Sequence, residues 1–234
     1  MMTRSLAVLA AVVAVASAEC TGKDVTTVKA CYDPYVKYFG FPVADGLPAY
    51  WDMHGKRKEM LFDKGLEIQP AITAVGSNLV NCMQPYWTCI DTDTYVNSFA
   101  QNASDGLNWL TDLAVTQYEV SARGYFLQRR HFYGFQICGV KGSVGQAMAA
   151  CSTALQQEMT AHNANACNNQ LACVFKAFGE CLGPEGGEYM CGTQRAGLGM
   201  TYKTNPTVCQ MGACATAPAA ESIAFGEKRL KFHA

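Results

Sequence analysis

The sequence predicts a mainly α-helical fold, a disulfide-stapled helical bundle. Apolar residues recur at helical spacing in several separate segments, whereas the alternation typical of strands is weak. Hydrophobic residues make up 50% of the 234-residue chain, enough for an apolar core, while only 16% of the residues are charged. The twelve cysteines, an even number, fit bridges that reinforce helices sharing that core.

The N-terminal segment has the composition of a secretion signal. Residues 1–4 include a basic side chain, residues 6–15 are apolar, and residues 16–18 are the small residues that signal peptidase recognises. We therefore expect a signal peptide at 1–18, a single disulfide-rich helical domain at 19–214 and a flexible C-terminal tail at 215–234. Secretion would place the chain in an oxidising compartment, where cysteines form bridges.

The N-terminal half of the domain contains three predicted helices. Residues 24–39 form the first, which Pro34 bends or splits. Apolar residues repeat on one helical face over 68–83 and again over 107–118, and these repeats predict the second and third helices.

The C-terminal half contains two more predicted helices and one segment with two interpretations. Apolar spacing predicts helices over 148–159 and 171–182, the latter ended by Gly183 and Pro184. Residues 125–140 are rich in aromatic side chains and form either a minor hairpin or the end of a long helix. Loops are expected over 40–48, 89–97 and 205–214.

The cysteines occur near the ends of these helices, where a thiol can reach a neighbouring helix. Cys173 and Cys181 are eight residues apart on one helical face, so we expect them to bond to different partners. The sequence leaves the full connectivity open. Bridges are expected from Cys20, Cys31, Cys82, Cys89, Cys138, Cys151, Cys167, Cys173, Cys181, Cys191, Cys209 and Cys214.

The cysteine rhythm resembles that of a known class of proteins. Cys20 and Cys31 are separated by ten residues, Cys82 and Cys89 lie in LVNCMQPYWTC, and a third group lies in CNNQLACVFKAFGECLGPEGGEYMCG. This rhythm resembles the secreted cysteine-rich helical domains that are abundant in nematodes and other invertebrates. The resemblance implies an extracellular helical fold and no known chemistry.

The chain carries no recognisable catalytic, metal or cofactor motif. Ser143 lies in a near match to the hydrolase nucleophile turn, but Lys141 stands where that turn requires glycine, so Ser143 is predicted to cap a helix. Residues 91–93 begin like a calcium loop whose later acidic and glycine positions are absent. The four histidines have no paired spacing for zinc. We therefore predict no catalytic residue, no metal ligand and no cofactor.

Aromatic residues are concentrated near the start of the predicted domain. They form either part of the core or the lining of a pocket for a small apolar ligand. The pocket interpretation requires an enclosed apolar cavity of roughly several hundred Å³. The aromatic candidates for such a pocket are Tyr32, Tyr35, Tyr38, Phe39 and Trp51.

A basic cluster lies farther along the chain. Arg123, Arg129 and Arg130 are interleaved with aromatic residues and are candidates for binding an acidic glycan or partner, the alternative being a solvated basic turn.

Two short motifs concern processing. Asn102 begins the sequon Asn-Ala-Ser, so we expect it to carry a glycan on a secreted chain. Lys56 and Arg57 follow a glycine, a pattern that fits an exposed loop or the cleavage site of a peptide precursor.

These observations favour a secreted, extracellular binding or structural protein without catalytic activity. The alternative is a carrier of a small apolar ligand in a helical cavity, and a secreted enzyme or a processed peptide precursor is the weaker hypothesis. The expected partner is an extracellular protein, a glycan or a small apolar ligand. A net charge of −1 gives no electrostatic basis for binding nucleic acid, and no apolar run is long enough to span a membrane.

Overall fold

The computed structural model describes residues 21–42, 46–88, 90–99, 102–203 and 207–214. These residues form nine α-helices and two short 3-10 turns, with no strand among them, which confirms the predicted mainly α-helical fold. The predicted signal peptide and C-terminal tail lie outside the described residues. The helices are α1 (Gly22–Tyr38), α2 (Tyr50–Lys64), α3 (Gln69–Met83), α4 (Thr92–Phe99), α5 (Ala103–Glu119), α6 (Ala122–Val140), α7 (Gly142–Thr160), α8 (Ala166–Leu182) and α9 (Pro184–Thr201).

Helix α1 begins at a capping box. The Thr21 side chain accepts a hydrogen bond from the Asp24 backbone N–H, and the Asp24 carboxylate accepts one from the Thr21 N–H at 2.8 Å. Pro34 lies inside α1 without ending it, so of the two predicted alternatives, a bend or a split, the split does not occur. The buried face of the helix supplies Val28, Cys31, Tyr32, Tyr35 and Val36 to the core.

Five disulfides tie the described helices together, and all ten described cysteines take part in them. Three bridges join one helix to another, and two hold the segment 207–214 against α8 and α9. Cys173 and Cys181 bond to different partners, as predicted. Cys20 and Cys89 lie outside the described residues. The bridges are Cys31–Cys82, Cys138–Cys181, Cys151–Cys173, Cys167–Cys209 and Cys191–Cys214.

Two apolar clusters form the core. The larger joins α1, α3, α4 and α5, with Tyr32, Tyr95 and Trp109 at most 1% exposed. Val174 and Phe178 of α8 pack against the Cys138 and Cys151 bridges in the smaller cluster. Burial of large side chains in both clusters supplies the hydrophobic driving force, and the bridges add to it by restricting the unfolded chain.

Helix α9 was not predicted, because its sequence is rich in glycine and glycine disfavours an isolated helix. Here the glycines allow close packing. A Cβ atom at Gly187 would lie 2.5 Å from the Phe175 carbonyl oxygen of α8, and one at Gly192 would overlap the Tyr118 ring of α5. Helix α8 ends at Leu182 with Gly183 as its C-cap, as predicted, and Pro184 occupies the first turn of α9, where proline is tolerated.

Two further segments differ from the sequence prediction. Residues 125–140 are helical within α6 and form no hairpin; Ser121 caps that helix by accepting a hydrogen bond from the Gly124 N–H at 3.1 Å. Part of the predicted 89–97 loop is α4, where the Asp91 carboxylate accepts a hydrogen bond from the Thr94 N–H at 2.8 Å. The regular apolar spacing is obscured in α6 because aromatic residues lie on its exposed face as well as its buried one.

The predicted helix cap at Ser143 is also wrong. Helix α7 begins after Lys141, and no side chain caps its first turn. Ser143 therefore lies inside the first turn of α7.

Candidate functional site

A cleft runs across the outer face of α5, between α2 and α9. Thr111, Val115 and Glu119 form its floor, because residues four apart lie on the same side of a helix. These three residues line two adjoining pockets, one of about 250 Å³ towards α2 and one of about 380 Å³ towards α9. Together the pockets reach the size of a small-molecule site.

The cleft walls combine apolar and polar side chains. The α2 wall consists of Tyr50, His54, Arg57, Lys58 and Leu61. The α9 wall consists of Tyr189, Met190, Thr193, Gln194, Gly197, Leu198 and Thr201. A molecule lying in the cleft would therefore contact apolar carbon along most of its length, with polar groups at defined positions.

The α2 side of the cleft contains a buried charge cluster. The Arg57 guanidinium donates a hydrogen bond to Glu119 Oε2, and its Nη1 lies 3.6 Å from Asp112 Oδ1. All three side chains are at most 12% exposed. Asp112 and Glu119 are seven residues apart, two turns of α5, so one arginine on α2 reaches both carboxylates.

Hydrogen bonds extend this cluster across five helices. Glu119 Oε1 accepts from the Tyr189 hydroxyl at 2.6 Å and from Gln128 Nε2 at 3.1 Å. Gln128 Oε1 in turn accepts from Gln69 Nε2 at 2.9 Å. Glu119 is therefore fixed by groups from α2, α6 and α9, and this arrangement holds the floor of the cleft in place.

Burial perturbs the titration of two groups beside the cleft. Burial raises the pKa of Asp112 to about 6; Arg57 opposes this shift and Glu119 adds to it. Partial burial lowers the pKa of His54, and the cations of Arg57 and Lys58 lower it further, so His54 is neutral at pH 7. Asp112 is ionised at pH 7 and takes up a proton in mildly acidic solution.

A small inner space of about 10 Å³ continues from the cleft towards α1, lined in part by Arg57, Glu119 and Gln128. Two other residues that line it, Tyr35 and Thr116, have buried hydroxyl groups that lie close to each other, and the Tyr35 hydroxyl also lies close to the Asp112 carboxylate. The inner end of the site is therefore lined by polar groups.

The aromatic residues proposed as a pocket are mostly core residues. Tyr32, Tyr35 and Phe39 are at most 2% exposed, and the Tyr32 hydroxyl shares a 2.8 Å hydrogen bond with the Tyr95 hydroxyl. Tyr38 is half-buried against the same core, whereas Trp51 is 65% exposed. Tyr35 is in ring contact with Tyr32 and Phe39, and Tyr38 with Phe39. Tyr35 also lines the inner space beside the cleft.

The basic cluster on α6 is largely neutralised by α9. Arg123 donates two hydrogen bonds, at 2.7 and 2.6 Å, to the two carboxylate oxygens of Glu188. Arg130 Nε lies 3.1 Å from Glu185 Oε2, and His131 Nε2 lies 3.1 Å from the same oxygen. Arg129 is exposed, 3.5 Å from the Tyr125 hydroxyl. Two of the three predicted anion-binding arginines thus serve as links between helices.

A histidine–carboxylate contact lies between α6 and α9, with His131 Nε2 3.1 Å from Glu185 Oε2. His131 and Glu185 lie in contact, but neither residue lines the cleft across α5. Their contact instead joins α6 to α9, in parallel with the Arg130 ion pair.

The two processing motifs lie on helices. Asn102 is exposed and is the N-cap of α5, with its side-chain oxygen accepting a hydrogen bond from the Asp105 N–H at 2.9 Å. The amide nitrogen, the atom that carries a glycan, takes no part in this hydrogen bond. Lys56 and Arg57 lie in the middle of α2 with Arg57 buried, so the expected exposed loop is wrong.

The central residues of the cleft were missed in the sequence. Arg57 was considered only as part of a dibasic pair, and Asp112, Glu119, Gln128 and Tyr189 carried no motif. One signal was present: Asp112 interrupts the apolar run of α5 between Leu110 and Leu113, and a carboxylate at a core-facing position indicates a buried ion pair.

No protein-family model, curated protein or solved structure matches the chain. The likeness to secreted nematode domains therefore stays a prediction. Among the described residues, no helix is both long and apolar enough to cross a membrane. The same part of the chain contains no group of three or more histidine, cysteine, aspartate or glutamate residues arranged to hold a metal ion.

Proposed function

We propose that the protein is a secreted binding protein that holds a small amphipathic molecule in the cleft across α5. The observation that carries this proposal is the pair of adjoining pockets that share Thr111, Val115 and Glu119 as their floor. Their walls offer apolar contact area, and a fixed polar cluster lies at one side. This combination is typical of small-molecule sites.

Secretion is part of the proposal and is supported by two features. The apolar N-terminal segment has the composition of a signal peptide, and the five described disulfides are typical of proteins from oxidising compartments. Disulfides restrict the unfolded chain, which suits a protein that must persist outside the cell.

Fluorescence titration with N-phenyl-1-naphthylamine, an uncharged apolar probe, tests binding in the cleft. We expect saturable binding of one probe per chain, and we expect Val115→Trp to abolish it, because the indole would fill the shared floor of both pockets. Gln156→Trp, on the exposed face of α7, is the matched control and should bind the probe like the natural chain. Equal probe binding by Val115→Trp, or no saturable binding by the natural chain, would overturn the proposal.

A further inference from the structure

The charge cluster beside the cleft has one cation for two carboxylates. Both oxygens of Glu119 accept hydrogen bonds, one from Arg57 and the other from Tyr189 and Gln128. Asp112 lies 3.6 Å from Arg57, outside hydrogen-bond distance, although it is only 7% exposed. Besides Arg57, the uncharged Tyr35 hydroxyl lies close to this carboxylate, and a buried carboxylate whose charge is only partly balanced is costly. Asp112 is thus the incompletely neutralised group of the cluster.

The second cation on the α2 wall does not complete the cluster. Lys58 is exposed, and its Nζ lies 5.6 Å from the centroid of the Phe62 ring, one turn farther along α2. The remaining groups near Asp112 are the neutral His54 and the hydroxyl groups of Tyr35 and Tyr50, whose pKa values burial raises above their usual range. None of these groups is positively charged at pH 7. The unbalanced charge at Asp112 is therefore negative.

We propose that the cleft binds a small organic cation, a primary or secondary ammonium with an apolar body, and that its ammonium group lies beside Asp112. This inference rests on the proposed function. Asp112 lines the α2-side pocket together with Tyr50 and Thr111. The Tyr50 ring, which stacks on the His54 ring with 5.6 Å between the centroids, adds aromatic surface to this pocket, and the Thr111 hydroxyl offers a hydrogen-bond acceptor.

The rest of the cleft fits the apolar part of such a molecule. Leu61 and Val115 line the pocket near Asp112, and Met190 and Leu198 continue the apolar surface towards α9. The buried Thr116 hydroxyl, 2% exposed and one helical turn from Asp112, lies at the inner end of the site. An anionic ligand would instead be repelled by the Asp112 carboxylate, so the site favours cations over anions.

Calorimetric titration with three probes of nearly equal shape tests the inference: 2-phenylethylammonium, 2-phenylethanol and phenylacetate. At pH 7.5 we expect the ammonium to bind at least about tenfold more tightly than the alcohol, and phenylacetate to bind most weakly. Asp112→Asn should remove the preference for the ammonium over the alcohol. Asp63→Asn, which removes an exposed carboxylate of α2, is the control and should leave the preference unchanged.

A pH series on the natural chain gives a test that does not depend on how well a variant folds. Ammonium affinity should fall about tenfold between pH 7.5 and pH 5, because protonation of Asp112 removes its charge, whereas affinity for the alcohol should stay constant. Equal affinities for ammonium and alcohol, or a flat pH profile, would overturn the cation inference while naphthylamine binding still supported the cleft. If neither the ammonium probe nor the naphthylamine probe binds, both proposals are overturned.

Discussion

The buried carboxyl of Asp112 makes a quantitative prediction about stability. Its pKa rises from an ordinary value of 3.8 to about 6 on folding, chiefly because of burial. The folded chain therefore holds this proton in a range of pH where the unfolded chain has released it. The resulting stabilisation is complete below pH 4 and is lost as the pH rises through 6. One pKa unit corresponds to about 1.4 kcal/mol, so the whole effect is about 3 kcal/mol.

Asp112→Asn isolates this contribution because the amide does not titrate. From pH 7.5 to pH 5, we expect the unfolding free energy of the natural chain to rise relative to that of the variant by about 1.4 kcal/mol. The measurement is urea unfolding followed by circular dichroism at 222 nm, without reductant, at pH 7.5, 6 and 5. The exposed Asp63→Asn variant should show no such pH-dependent difference. A difference between Asp112→Asn and the natural chain that stays constant across this range would refute the reasoning.

Further predictions concern the ion pair, the helix contacts, the bridges and the glycan. Arg57→Met should destabilise the chain by about 3–5 kcal/mol in urea unfolding, because Asp112 and Glu119 would be left buried without their cation; a loss below about 1 kcal/mol would contradict this. Gly187→Ala should cost about 1–3 kcal/mol through its clash with α8, whereas Gly179→Ala, with open space at its Cβ, should be neutral or stabilising. Thiol titration of the unfolded, unreduced chain should find at most two thiols, and reduction should lower the thermal midpoint. After expression in a eukaryotic secretory pathway, glycosidase treatment should reduce the mass of the natural chain but not of Asn102→Gln.

Sequence periodicity predicted those helices that bury one regular apolar face. The spacing over 68–83 corresponds to α3, and that over 171–182 to α8. The same reasoning failed for a helix in which contacts with neighbouring helices outweigh the low intrinsic helix propensity of its residues. Helix α9 has glycines because its backbone approaches α8 and α5 closely, and only the positions of those neighbours make a glycine-rich helix favourable.

The candidate site was less predictable than the fold. Arg57 lies among charged and polar residues in the sequence, and nothing local distinguishes it from the exposed Lys56 and Lys58 on either side. Its partner Glu119 is 62 residues away. Burial of a charge depends on which helices meet around it. Asp112, a carboxylate within an apolar helix face, was the one member whose burial the sequence alone indicated.

The positions of the disulfides bear on how the cleft can change width. Among the described bridges, Cys31–Cys82 encloses the stretch of chain that contains α2, while the other four all lie within residues 138–214, and one of them, Cys191–Cys214, begins on α9. The two walls thus belong to separately cross-linked units, and α5, between them, contains no cysteine. Noncovalent contacts, among them the hydrogen bonds of Arg57 and Tyr189 to Glu119, set the gap between the walls, so the walls can adjust to a ligand without breaking a described disulfide. A ligand that contacts both walls would in turn link the two units without a covalent bond.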